Sequence, residues 1–151
     1  RHARGDVPVT GDRQAEDTTG LIAAQVRIGA ERALLKVIPT WGSVLLEIQS
    51  PAGLAAEWRL DPLAFSRDEG ESRQDGWLTL AIPGSRLRID AARIAQAWFL
   101  RQGDTRREVH FLDAADETIL TLALVGQEPG FEPQAEAAFF QAWRDLTGPA
   151  T

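Results

Sequence analysis

The side chains able to do chemistry are few, and their scarcity is informative. Cys, Met and Tyr are absent. Without Cys there are no disulfides, thiolate ligands or thiol nucleophiles. His2, His110 and Lys36 remain as the conventional nitrogen donors. His110 lies between Val109 and Phe111 in an extended-looking run. It reads either as a metal-binding imidazole, whose second nitrogen would be held by an acceptor, or as a hydrogen-bonded strand histidine with no such duty. His2 sits in the polar tail and carries no expectation.

Arginine dominates the cations, since Lys36 is the single lysine among 16 basic residues. Arg86, Arg88, Arg101, Arg106 and Arg107 fall close to successive turns. Arginine forks onto carboxylates and phosphates in a way that lysine does not. The group reads as an anion clamp, or as a charged outer face paired with Asp90, Asp104 and Glu108. Trp41, Trp58, Trp77, Trp98 and Trp143 offer flat apolar surfaces for stacking or for a core. Trp143 belongs to a helical stripe and is expected in the core.

Catalytic constellations are lacking. No nucleophile motif accompanies His110, and Gly84, Gly103 and Gly126 are isolated turn glycines, not a phosphate-cradling loop. Asp113, Asp116 and Glu117 cluster in a turn, where Asp is favoured for local hydrogen bonding. The expectation is a binding protein, with an enzyme left open as a further alternative. A net charge of −6 argues against a general nucleic-acid binder. No apolar run nears the roughly 20 residues of a membrane span. No secretory leader is visible in the polar first 20 residues, and the lack of cysteine agrees with a cytoplasmic location.

The elements that must position these residues follow from periodicity and turn signals. Residues 1–19 read as a flexible tail and 20–149 as one domain. Leu21 to Ile38 shows apolar residues at three- and four-residue steps and is expected to be mainly helical, ending at Pro39. Extended runs are expected at 43–49, 54–60, 76–82, 85–89, 94–101, 106–112 and 117–125, with turns at Pro51-Ala52-Gly53, Pro83-Gly84 and Gln102-Gly103-Asp104. Residues 61–75 read as a loop, with a short strand near 63–66. Pro133 to Leu146 carries the clearest helical stripe. In 94–101, Ala95, Ala97 and Phe99 face one way and Ile94, Trp98 and Leu100 the other. Both faces are apolar and both are expected to be covered, one by helices and the other by a ligand or a second subunit. The fold class is α+β: a large antiparallel sheet meander flanked by N- and C-terminal helices.

The order of these segments resembles the module of the HemS/ChuX-type bacterial haem-utilisation proteins. Val26 to Gln49 is similar to that module's helix–Pro–hydrophobic–Gly–strand entry. Gly76 to Arg101 resembles its Gly-aromatic strand, short Arg-bearing strand and Ile-Ala-x-Ala-aromatic strand. Val109 to Gly126 resembles its Asp-containing hairpin, and Phe131 to Leu146 its closing helix. The resemblance runs from about residue 26 to 147. It implies haem or a related planar anion as ligand, His110 as axial iron donor, and Arg86, Arg88, Trp98, Arg101 and Arg107 as ring- and carboxylate-binding residues. It also implies a homodimer, because the single-module members dimerise. The histidines that ChuX-type members place before the Gly-aromatic strand are replaced here by Ser72-Arg73-Gln74-Asp75. The alternative is a divergent homodimeric module that has lost haem and works through protein contact.

Overall fold

The computed structural model describes residues 15–16, 20–65, 77–127 and 130–148. Among the described residues, nine strands and two helices follow one another: β1 (Ala15–Glu16), β2 (Leu21–Gln25), α1 (Glu31–Val37), β3 (Val44–Gln49), β4 (Ala55–Leu60), β5 (Trp77–Ile82), β6 (Ser85–Asp90), β7 (Gln96–Gln102), β8 (Arg106–Leu112), β9 (Thr118–Leu124) and α2 (Pro133–Leu146). Short 3-10 turns occupy Ile38–Trp41 and Ala91–Arg93. The expected α+β architecture is present.

Seven strands form one antiparallel sheet in the order β1-β2-β7-β8-β9-β3-β4. β7, β8 and β9 make its central meander, with the β3–β4 hairpin added beyond β9. β5 and β6 form a separate hairpin, so the meander is not continuous as the sequence suggested. Pro83-Gly84 closes that hairpin, with Ile82 paired to Ser85 and Gly84 at φ 75. Proline presets the first turn position and glycine supplies the left-handed second one. The expected strand near residues 63–66 reduces to a single bridge, Phe65 to Leu80, with residue 66 outside the described residues.

The expected helix from Leu21 is corrected. Leu21–Gln25 is a strand paired with β7, Ala23 opposite Leu100 and Ala24 opposite Phe99. Its residues are apolar on both faces, and such a run satisfies helical and extended spacing equally. Gly29, at φ 97, breaks the chain before α1. The tail expected at 1–19 lies mostly outside the described residues; within it, Ala15 and Glu16 pair with Ala23 and Ile22.

The two helices lie on one face of the sheet. α2 begins where the Glu132 side chain accepts a hydrogen bond from Ala135 N at 2.7 Å, with Pro133 in the first turn. Its buried stripe, Phe139, Ala142 and Trp143, packs on β7 through Phe99, whose ring centroid is 5.5 Å from that of Phe139 and 5.4 Å from that of Trp143. Trp41 closes the same cluster at 5.3 Å from Phe139. Arg27 donates to the Asp145 carbonyl at 3.0 Å, placing a cation at the negative end of the helix. Leu80 and Ile89 of the β5–β6 hairpin join this core.

The opposite face is also partly dry. Ala23, Trp98 and Leu100 are essentially inaccessible, and Leu112 is buried. Both faces of β7 are therefore covered, as its composition required. These side chains are already buried within one chain.

Candidate functional site

The site is built on β8, where strand alternation sends residues to opposite faces. Arg107, Val109 and Phe111 point to the helices, and Arg106, Glu108 and His110 to the other side. The register sets Trp98 beside His110 on β7 and Thr121 beside it on β9. Leu100 and Ala123 flank Glu108 in the same way.

Arg106, Glu108 and His110 form a hydrogen-bonded ladder. Arg106 forks onto Glu108, Nε to Oε2 at 3.0 Å and one terminal nitrogen to Oε1 at 3.1 Å. His110 Nε2 lies 2.8 Å from Glu108 Oε1. Burial opposes ionisation of Glu108, but the hydrogen bonds and charges of His110 and Arg106 outweigh it. The carboxyl is brought down to about 2. Arg106 also donates to Gln102 at 3.2 Å, which ties the ladder to β7. Further along the face, Trp98 donates to Gln96 and Gln96 to Asp116, at 3.0 and 2.7 Å.

This ladder lines an open cleft of about 1370 Å³, at the upper end of or beyond the roughly 300–1,000 Å³ usual for small-molecule sites. On the sheet side Leu45 and Ala123 are partly exposed to it, with Leu100 and Leu112 already buried beneath. Trp77, Leu87, Arg88, Ile89 and Asp90 line it from the β5–β6 hairpin, and residues 113 and 115–117 from the β8–β9 turn. Arg88 lies over the Trp77 ring, 5.0 Å from its centroid. Asp113 is engaged inside its turn, accepting from Ala115 N at 2.8 Å and Glu117 N at 3.0 Å.

The residues singled out in the sequence are only partly brought together. His110 and Arg88 line the cleft. Trp98 stands on the same face next to His110 but is buried beneath it. Arg86 is exposed on the hairpin. Arg101 and Arg107 lie on the helix face, away from His110. Arg101 stacks on Phe140 at 5.6 Å, and Arg107 pairs with Glu136 of α2 at 2.8 Å between Phe131 and Phe140. Sequence reasoning passed over Glu108 as a site residue, although its two-residue spacing from Arg106 and His110 was visible. Glu47 and Glu57, across the sheet from His110 in the same lateral row, were also missed.

The large antiparallel sheet backed by two helices is a ChuX/HemS-like fold. The particular likenesses are to solved structures. The heme-binding protein ChuX superposes with a TM-score of 0.66 at 12% identity, over 82% of this chain and 76% of that one. PhuS, a heme-binding protein from Pseudomonas aeruginosa, gives 0.59 at 14% identity over 79% of this chain and 34% of that one. ChuS, a heme oxygenase of E. coli, gives 0.57 at 17% over 82% and 36%. The chain thus spans about three quarters of ChuX and about a third of PhuS and ChuS. No family model matches the sequence, and no curated protein does. Among the described residues no helix is long and apolar enough to cross a membrane.

Proposed function

We propose that this chain is a binding and carrying module, not an enzyme, and that the cleft takes haem or a related flat macrocycle. The observation that carries this reading is the cleft itself: a broad opening over a partly apolar sheet face, with the imidazole of His110 on its lining. The haem-binding ChuX and PhuS, which share the fold, support the same ligand class.

An iron porphyrin in the cleft would have to be met by the one imidazole nitrogen that Glu108 leaves over. His110 Nε2 is held by Glu108, and among the described residues Nδ1 has no hydrogen-bond partner. A carboxylate on one imidazole nitrogen fixes the orientation of the ring. Bound haem would supply the iron centre; the chain's own residues would seat the ring and shield one side of it. Arg88 is the arginine placed to meet a ring carboxylate from the hairpin, with exposed Arg86 on the same hairpin. Arg101 and Arg107 drop out of this proposal, because the helix face holds them. The same reading takes the chain as a cytoplasmic homodimer, to be checked by sedimentation.

Haem titration followed by the Soret band tests the proposal. Wild type is expected to shift the band, and His110→Ala to give a different spectrum. Absence of a shift in wild type, or an identical one in His110→Ala, removes the ligand role.

A second reading, a haem-free module acting through protein contact, draws on the engagement of His110 Nε2 and on the replaced family histidines. It predicts no saturable haem binding under the same titration.

A further inference from the structure

The charge on the cleft is not what a carboxylate-rich ligand needs. Seven carboxylate side chains line it, those of Glu47, Glu57, Asp90, Glu108, Asp113, Asp116 and Glu117, against Arg88, Arg93 and Arg106. With His110 neutral, that is a formal surplus of four negative charges among the described residues, most of the −6 carried by the whole chain. Two of the three arginines are already answered. Arg106 is forked by Glu108, and Arg93 lies 3.7 Å from Asp113. Clefts with one sign of charge and low-dielectric walls focus the field inside them.

From this we propose, resting on the reading of the cleft as a macrocycle site, that it selects its ligand by charge. It takes planar tetrapyrrole-class rings whose buried edge carries no anion, and it favours positively charged or neutral side groups over carboxylates. Leu45, Ala123, Trp77 and Leu87 supply apolar surface for the ring, and the Glu47–Glu57 row supplies the discrimination. Ring carboxylates are left at the open side of the cleft or toward the hairpin arginines. An anion entering along the sheet meets the exposed Glu57, then Glu47 and then Glu108, which already holds Arg106.

The test uses the full chain and two metal-free rings of one skeleton, so that His110–iron bonding plays no part. One is protoporphyrin IX with its two carboxylates. The other is its diamide derivative ending in two ammonium groups. Binding is followed by tryptophan quenching. The diammonium ring is expected to bind at least about ten-fold more tightly at low salt, and the gap to narrow as salt screens the charges. Glu47→Gln/Glu57→Gln is expected to shrink the ratio several-fold. Asp104→Asn/Asp145→Asn, which removes two charges from outside the cleft, is expected to leave it unchanged. Equal or tighter binding of the dicarboxylate, or an equal response of both double variants, overturns charge selection while leaving the macrocycle site standing. If neither ring binds, the cleft reading falls and this inference with it.

Discussion

Glu108 and His110, two residues apart on one face of β8, share a hydrogen bond of 2.8 Å, and Arg106 completes a three-rung ladder on the same strand. The ladder holds the Glu108 carboxyl down at about 2, against an ordinary 4.5. A depressed carboxyl contributes stability above its unfolded value and loses it as pH falls through the folded one. Wild type is therefore expected to lose on the order of 3 kcal/mol between about pH 4.5 and pH 2 from this group. Denaturant unfolding across that range measures it. Glu108→Gln is expected to be less stable at pH 7 and to flatten the acid limb; an unchanged acid limb in Glu108→Gln would refute the ladder's role.

Arg107 is expected to behave as a structural residue, whatever its neighbour Arg106 does. Its guanidinium is 6% exposed and pairs with Glu136, which is 32% exposed. Arg107→Ala is expected to cost about 2–4 kcal/mol, since removing one partner strands the other and empties the space between Phe131 and Phe140. Thermal unfolding reads the loss. Ligand affinity in the cleft should change less than two-fold below the melting range, because the side chain lies across the sheet. A large affinity loss without destabilisation would return Arg107 to the site.

The helix face has its own test. Phe139 touches Trp41, Phe99, Phe140 and Trp143 by ring contacts of 5.2–5.9 Å and is fully buried. Phe139→Ala is expected to cost about 3–5 kcal/mol. Glu132→Ala, which removes the side-chain cap from Ala135 N, is expected to cost about 1 kcal/mol. A larger loss from the cap than from the ring would contradict the packing described.

Why the sequence disclosed some of this and not the rest is a matter of periodicity. β8 and α2 were legible to the residue, because alternation and a 3.6-residue stripe each have one solution over those lengths. Leu21–Gln25 was not, because an apolar run buried on both faces fits either period, and only pairing with β7 decides it. The arginines illustrate a different limit. Alternation separates Arg106 from Arg107, but the sequence does not say which parity meets the helices. Grouping all five by proximity along the chain mixed two faces of the large sheet with the separate β5–β6 hairpin. The detached β5–β6 hairpin was likewise hidden, since a strand's local pattern carries no record of which sheet it joins.

The hairpin offers the last prediction, which separates occupancy of the cleft from nonspecific sticking. Trp77 begins β5, is half-buried, and lines the cleft beneath Arg88. Trp143 is buried in the core on the helix face. A ring seated in the cleft would approach Trp77 closely, with the sheet between it and Trp143. Trp77→Phe is therefore expected to remove a larger share of ligand-induced fluorescence quenching than Trp143→Phe does. Trp77→Phe should destabilise the fold less, because Trp143 gives up its packing against Phe99, Phe139 and Phe140. Time-resolved fluorescence of the two variants, titrated with the same metal-free ring, measures the difference. Quenching spread evenly over both tryptophans would mean that the ring does not sit where the cleft is.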